Sequence, residues 1–506
     1  MPYSAMPSIS NSRDGHQWTP ASGLQKGIPS ISVINPPTNI VSSEQEYDVA
    51  IIGAGYTGLT AARDLTAAGH KVLLLEARDR IGGRTWSSDI EGYPYEMGGT
   101  WVHWNQPYIY REIGRYCLHD QLENSHDPTT GVNHFVLQTD GKETVWTKDQ
   151  ELELTEIALK KFVNVDGDFG RKIIPYPHNP HHNPEVATYD NMSFADRLAE
   201  IRDDLTSHEY IALVGFLAIC SGGSIEECSF FEMIRWWALN NYDMRQFMEL
   251  CLTYKFKIGQ SGFALHFFRE ALATGNLTYA FSTPVASIVD DGRSVRITSR
   301  SSPSKPFRAK RLVCTVPLNV LHTITFDPPL SQAKLDASRL GHCNHVSKVH
   351  VESKDPSNTL RSFSAIQYPQ NGLTYAFGDG ITPAGNTHLV SFGQSSNGLK
   401  LKLQDNLDET ISAFKAFSPE IDPLRVVFHD WTNDEFARGA WEWLRPGMAT
   451  KYLDALRERQ GNVLFASADW SLGWRGFIDG GIEDGTRAAM ELLPELRGLK
   501  ASAAKL

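Results

Sequence analysis

The sequence predicts an α/β protein of two domains, one of them a doubly wound nucleotide-binding unit assembled from separated chain segments. Three observations carry that prediction. Strand, glycine-rich turn, helix and second strand follow one another without a break between Glu46 and Arg84. Strand and helix patterns return near the far end of the chain, from Asn462 to Leu493. Between them lies a stretch that is first helical and then β-rich, which marks an inserted domain.

Composition sets the outer bounds. The 506 residues are 41% hydrophobic and 21% charged, an ordinary globular balance. Lys and Arg total 48 against 59 Asp and Glu, a net charge of −11 that leaves no electrostatic footprint for nucleic acid or an anionic membrane. Cys117, Cys220, Cys228, Cys251, Cys314 and Cys343 are scattered without a CxxC pair, so reduced thiols are expected.

The elements follow in order. Residues 1–45 are polar and dotted with proline, have no apolar signal core, and read as a flexible arm or a surface strap. Apolar spacing predicts helices over Glu153 to Phe162 and Ser193 to Ile201. The run Tyr210 to Cys220 is too short to span a bilayer. Ile174 to Pro184 carries four prolines and can be neither helix nor central strand. Its histidines, His178, His181 and His182, lack partner ligands at metal spacing, and no metal is expected. Strands are predicted at Ser287 to Val289, Val295 to Thr298 and Arg311 to Val316, with a further β-rich section from Val346 to Val390. Gly378-Asp379-Gly380 reads as a turn. A soluble intracellular protein is expected. The final Ala504-Lys505-Leu506 is close to the Ser-Lys-Leu peroxisomal signal, so a peroxisomal address and its import receptor are expected.

The informative stretch is Val49 to Arg84. An apolar strand enters Gly53-x-Gly55-x-x-Gly58, a helix follows, and Val72 to Leu75 ends at Glu76. Gly53 permits the tight turn, Gly55 lets backbone approach a pyrophosphate, and Gly58 lets helix and strand pack closely. The helix amino end offers N–H groups to phosphate, and Glu76 is placed to accept from an adenosine ribose. An acidic acceptor argues against a 2′-phosphate. Between NAD and FAD this unit alone does not choose.

The residues that follow do. Glu76-Ala77-Arg78 through Gly83-Arg84, then Gly98-Gly99-Thr100-Trp101, resemble the extended FAD signature of the flavin amine oxidase family, and in particular the fungal, Aspergillus-type monoamine oxidases. The resemblance continues through Gly259 to Phe263, Cys314 to Leu318, Phe326 to Leu330, Trp431 to Trp441 and Asp469 to Gly481. It implies the flavin amine oxidase fold: a Rossmann-like FAD-binding domain of segments 46–105, 251–318 and 431–498, and an α+β substrate-binding domain of 106–250 and 319–430. Residues 499–506 form the tail.

The resemblance also implies roles. FAD would be held by Gly53, Gly55, Thr57, Gly58, Glu76, Ala77, Arg78, Gly83, Arg84, Gly98, Gly99, Thr100 and Trp101. Val285 would meet the adenine and Trp431 the ring, with Asp469 and the helix start at Phe477-Ile478 completing the site. Ala440 stands where mammalian relatives carry the cysteine bonded to flavin, so attachment is expected to be non-covalent. Trp441 and Phe477 match the aromatic cage that receives the amine, and Phe216, Ile219, Met248 and Leu252 match outer pocket walls. Many members place a lysine before the Phe-x-Pro-Pro-like segment; Thr323 falls there, with Lys348 as a nearby substitute.

The expected function is FAD-dependent oxidation of simple primary, or secondary, amines, with dioxygen reduced to hydrogen peroxide. A polyamine or L-amino-acid oxidase is the alternative within enzymes. The first needs carboxylates for a distal ammonium, and the second an arginine such as Arg438 or Arg475. An FAD-carrying scaffold is the alternative outside them. Expected partners are the amine and O2, with a homodimer as the oligomer considered.

Overall fold

The computed structural model describes residues 8–41, 45–125, 134–139, 142–367, 371–394 and 403–503. Ala504, Lys505 and Leu506 lie outside the described residues.

The strand Glu46–Ile52 has its last six residues buried, as a near-continuous apolar run becomes when both faces of a parallel sheet are covered. It pairs in parallel with Val72–Leu75 on one side and Phe307–Cys314 on the other. Leu277–Ala280 and Val463–Phe465 extend this parallel set from either neighbour. Five strands from distant chain segments therefore end side by side at Ile52, Leu75, Ala280, Cys314 and Phe465. In such sheets the carboxyl edge is where ligands bind. Three further strands, Val295–Ser299, Val285–Asp290 and Thr325–Asp327, complete an eight-stranded sheet.

A second, nine-stranded sheet is centred on Leu373–Ile381, Thr387–Gln394, Val346–Lys354 and Asp422–His429. Alternation along Val346–Lys354 sends Val349 and Val351 into an apolar cluster with Phe414 and Phe428. Lys348, His350 and Glu352 share the opposite face, and all three are buried. Gly378-Asp379-Gly380 lies inside the strand Leu373–Ile381, where the register shifts between Gly378 and Gly380. The expected turn is thus a bulge: a Cβ at Gly378 would stand 2.1 Å from the Arg361 carbonyl, so glycine marks a close approach there.

The amino-terminal segment is a strap that joins both sheets. His16–Thr19 pairs antiparallel with Asp422–His429, and the His16 ring stacks on Phe428 at 5.1 Å. Further on, Thr38 bridges Ala280 in the parallel sheet. The segment from Ile174 to Pro184 contains neither helix nor strand.

Helices of the second unit carry side chains toward the first. Ser207–Ser221 begins with a reciprocal Thr206–Glu209 capping box and ends at Gly222, whose φ of 63° is left-handed. Beyond its polar first turn it is apolar on every side, and most of it is buried. The last helix, Ile478–Ala503, runs through Pro494 instead of ending at Leu493. Leu492 and Leu496 are both buried on its packed side, so tertiary contact outweighs the lost backbone bond. No described helix is long and apolar enough to cross a membrane.

Candidate active site

A cavity of about 630 Å³ opens at the carboxyl edge of the parallel sheet and runs into the second unit. Its first wall is the glycine turn. Gly53 has φ of 106°, and a Cβ there would strike Thr315 Oγ1 at 2.4 Å. At Gly58 a Cβ would lie 1.9 Å from the Gly53 carbonyl, so any side chain would push the helix off the strand. Gly55 differs: nothing stands within 4 Å of its Cβ position, and the residue borders the cavity. Gly55 is also the helix N-cap, without a side-chain cap, and Tyr56 and Thr57 line the cavity beside it. The first N–H groups of the helix are therefore left for a ligand.

Glu76 borders the cavity at the end of its strand, where its carboxylate accepts from Ala54 N at 2.6 Å and Arg78 N at 2.8 Å. Burial pushes this carboxyl up, and the two backbone donors oppose it. The Arg78 side chain is committed to Asp14 and Asp434. Ala77, Gly83, Arg84, Gly98, Gly99, Thr100 and Trp101 all border the cavity, as do Val285, Trp431 and Ile478. Trp431 is held by its indole N–H donating to the Met97 carbonyl at 2.8 Å. Asp469 does not border the cavity; it stands behind the wall and holds Arg84, which in turn donates to the Ala440 carbonyl at 2.9 Å.

The far part of the cavity is aromatic and aliphatic. Trp441 is anchored through its indole N–H to the Cys220 carbonyl at 2.8 Å, at the end of the Ser207–Ser221 helix. Phe477 packs on Trp236 at 4.7 Å and on Trp474 at 5.0 Å between ring centres. Both border the cavity together with Ala440 and with Phe216, Ile219, Met248 and Leu252. Asp243 caps the helix that supplies Met248 and Leu252, accepting from Gln246 N.

Thr323 and Lys348 both reach the wall. The Thr323 hydroxyl is spent on the Val320 carbonyl at 2.7 Å. Lys348 is buried, donates to Thr100 Oγ1 and the Gly98 carbonyl, and lies 5.1 Å from the Trp101 ring centre. Burial brings its ammonium down to about 8, against the pull of the Asp379 and Glu96 carboxylates. The resemblance offers Lys348 only as a substitute for the residue at Thr323. The signal was present as the alternation of Lys348, His350 and Glu352, a pattern that a solvent-facing strand shares.

Neither arginine considered for a substrate carboxylate borders the cavity. Arg475 is fully buried, bonded to Glu232 and 3.5 Å from Glu442. Arg438 lies on the outer side, 3.5 Å from His322. The aromatic side chains Phe377, Phe392 and Tyr375 also line the cavity and had no sequence signal beyond ordinary strand alternation.

These walls fit FAD. The glycine cradle leaves room where Gly55 has no Cβ contact, the uncapped helix faces it, and the space continues unbroken to Trp441 and Phe477. A dinucleotide cradle continuous with an aromatic chamber defines a redox enzyme whose cofactor meets an organic substrate. The family model "flavin containing amine oxidoreductase" matches residues 56–493. The chain belongs to that family, is an enzyme of amine oxidation, and takes FAD as its cofactor. It is 29% identical to the pseudooxynicotine dehydrogenase of a Pseudomonas species, over 92% of this chain and 89% of that one. With the nicotine dehydrogenase of Pseudomonas putida it shares 28%, over 88% of each. The cyclohexylamine oxidase structure from Brevibacterium oxydans superposes with a TM-score of 0.71 at 21% identity, covering 90% of this chain and all of that one, and shares the fold. Among the described residues no group of three His, Cys, Asp or Glu is arranged to hold a metal.

Proposed function

We propose that this enzyme oxidises simple alkyl or arylalkyl primary amines to imines, which hydrolyse to aldehydes, with O2 reduced to H2O2. The observation that carries the reading is the apolar chamber bounded by Trp441 and Phe477, with Phe216, Ile219, Met248 and Leu252 beyond them. Such a wall contributes roughly 25 cal/mol for each Å² of apolar substrate removed from water, whereas an unpaired charge there would cost several kcal/mol. FAD, when bound, supplies the acceptor for two electrons from the amine α-carbon. Trp441 and Phe477 orient the nitrogen, and the surrounding rings exclude water. Lys348 carries a proton on its Nζ at the chamber wall beside Thr100. Because Ala440 has no nucleophilic atom, the cofactor is held without a covalent bond. Free amino acids are disfavoured, since Arg438 and Arg475 face elsewhere.

A screen over butylamine, benzylamine, spermine and L-amino acids tests the reading, with peroxide and O2 uptake measured alongside a dye acceptor. A higher kcat/KM for spermine or an amino acid than for butylamine or benzylamine overturns the substrate class. Dye reduction without O2 uptake overturns the oxidase part, which matters because two relatives are named dehydrogenases. The peroxisomal address is part of the same proposal and rests on Ala504-Lys505-Leu506 alone. A reporter fused ahead of the chain, with and without Leu506, tests it.

A further inference from the structure

We propose that Lys148 and Glu151 form a self-neutralised subsite at the distal end of the chamber, and that this pair sets the choice between monoamines and diamines. The inference rests on the reading that Trp441 and Phe477 receive the reacting amine.

The pair is built by a helix start. Thr147 and Gln150 exchange capping bonds at the head of Lys148–Val163, which puts Lys148 in the first helical position and Glu151 one turn on. Lys148 Nζ stands 3.6 Å from Glu151 Oε2 and also donates to Ser364 Oγ. Both side chains border the cavity and are mostly covered, at 19% and 15% exposure.

A row of rings along the wall joins them to the cage. Trp441 lies 6.1 Å from Phe392, Phe392 6.2 Å from Trp101, Trp101 6.0 Å from Phe377, and Phe377 5.4 Å from Tyr375. Tyr375 is close enough to Glu151 that the carboxylate disfavours a tyrosinate, though burial disfavours it more. A substrate anchored at Trp441 therefore passes a mainly aromatic surface, with Lys348 Nζ 5.1 Å from the Trp101 ring, before it reaches the pair.

What it meets has no net charge. Glu151 would attract a second ammonium and Lys148 would repel it, so the two contributions oppose each other at similar range. A diamine would desolvate its distal ammonium without an unopposed anion to replace water, while an alkyl or aryl tail has no such cost. Burial pushes the Lys148 ammonium down and the Glu151 carboxyl up, and each partner counters that in the other. Asp149 also borders this end but is exposed, so water and salt screen it.

The test compares the holoenzyme with Lys148→Gln, Glu151→Gln, the double variant and Asp149→Asn. The readout is the ratio of kcat/KM for putrescine, 1,6-diaminohexane and 1,8-diaminooctane to that for butylamine and hexylamine. Lys148→Gln is expected to raise the ratio about tenfold for the diamine that spans the chamber, mainly through KM. Glu151→Gln is expected to lower it, the double variant to return it toward wild type, and Asp149→Asn to leave it within about twofold. An unmoved ratio in Lys148→Gln, with normal flavin content and Tm, overturns the pair's role. Should Lys148→Gln fail to fold, an unmoved ratio in Glu151→Gln overturns it equally. If the wild-type enzyme oxidises none of these amines, the functional reading fails and the inference fails with it.

Discussion

The Arg84 guanidinium donates to the Asp469 carboxylate at 2.5 Å, joining residues 385 positions apart in the chain. The same carboxylate accepts from Leu318 N at 2.9 Å, and Arg84 donates onward to the Ala440 carbonyl. One buried anion thereby ties together the glycine-rich segment, the Pro317-Leu318 turn and the segment carrying Trp441. Each of these supplies a different wall of the cavity.

Replacing Asp469 by alanine should loosen that knot. Arg84 is left without its anion in a mostly buried place, which costs about 3 kcal/mol of stability. Thermal unfolding and reconstitution with FAD should show a lower Tm and weaker FAD retention together. Burial alone would raise the Asp469 carboxyl, but Arg84 and its other partners hold it below the usual carboxylate range. Its stabilisation is therefore complete above about pH 4 and fades as pH falls through the folded value. FAD release on acidification should begin in that window, and an Asp469→Ala protein with unchanged Tm and FAD affinity would refute the assignment.

The cage should respond to truncation without losing the cofactor. Trp441→Ala and Phe477→Ala are each expected to lower kcat/KM for benzylamine at least about tenfold, by misplacing the nitrogen. Flavin content should stay near wild type, because neither ring belongs to the glycine cradle. Trp441→Phe keeps a wall but loses the bond to the Cys220 carbonyl, and should fall between. Wild-type rates in Trp441→Ala would remove it from the site.

Lys348 should leave a mark on the pH profile. With its ammonium brought down to about 8, it is charged at neutral pH and loses its proton as pH rises through that value. A simple amine, with pKa about 10.4, is neutral in only about one molecule in 2,500 at pH 7, so rates should also climb steadily with pH. The wild-type profile should carry an inflection near pH 8 on that slope. Lys348→Met should keep the slope and lose the inflection, as read from kcat/KM between pH 6.5 and 9.5.

Attachment of the cofactor has a direct assay. Acid precipitation should release all yellow colour into the supernatant, because Ala440 offers no atom to bond the flavin. Colour that stays in the washed pellet would point to another attachment residue.

What the sequence determined by itself is local. Gly53, Gly55, Gly58 and Glu76 sit within 24 residues; Gly53 answers to a positive φ, Gly58 to a close helix approach and Glu76 to a strand end, while Gly55 leaves its Cβ position open beside the cavity. Trp441 and Phe477 were legible because the resemblance spans the segments around them. The tertiary structure decided what depends on distant partners. Lys348 faces the cavity because strand alternation and a second sheet bury that face, whereas the resemblance places Thr323 at the position of the family lysine and names Lys348 as its substitute. Arg475 is withdrawn from substrate by Glu232 and Glu442, and Arg84 is fixed by Asp469 from the other end of the chain. Gly378 became a strand bulge, not a turn, because the Arg361 carbonyl approaches it from another segment. Lys148 and Glu151 lie just ahead of the helix predicted over Glu153 to Phe162, and only the row of rings from Trp441 to Tyr375 places them at the end of the chamber. Backbone geometry propagates over a few residues and is written in them, but burial and charge pairing are set by which surfaces meet, and that is fixed only when the sheets close over one another.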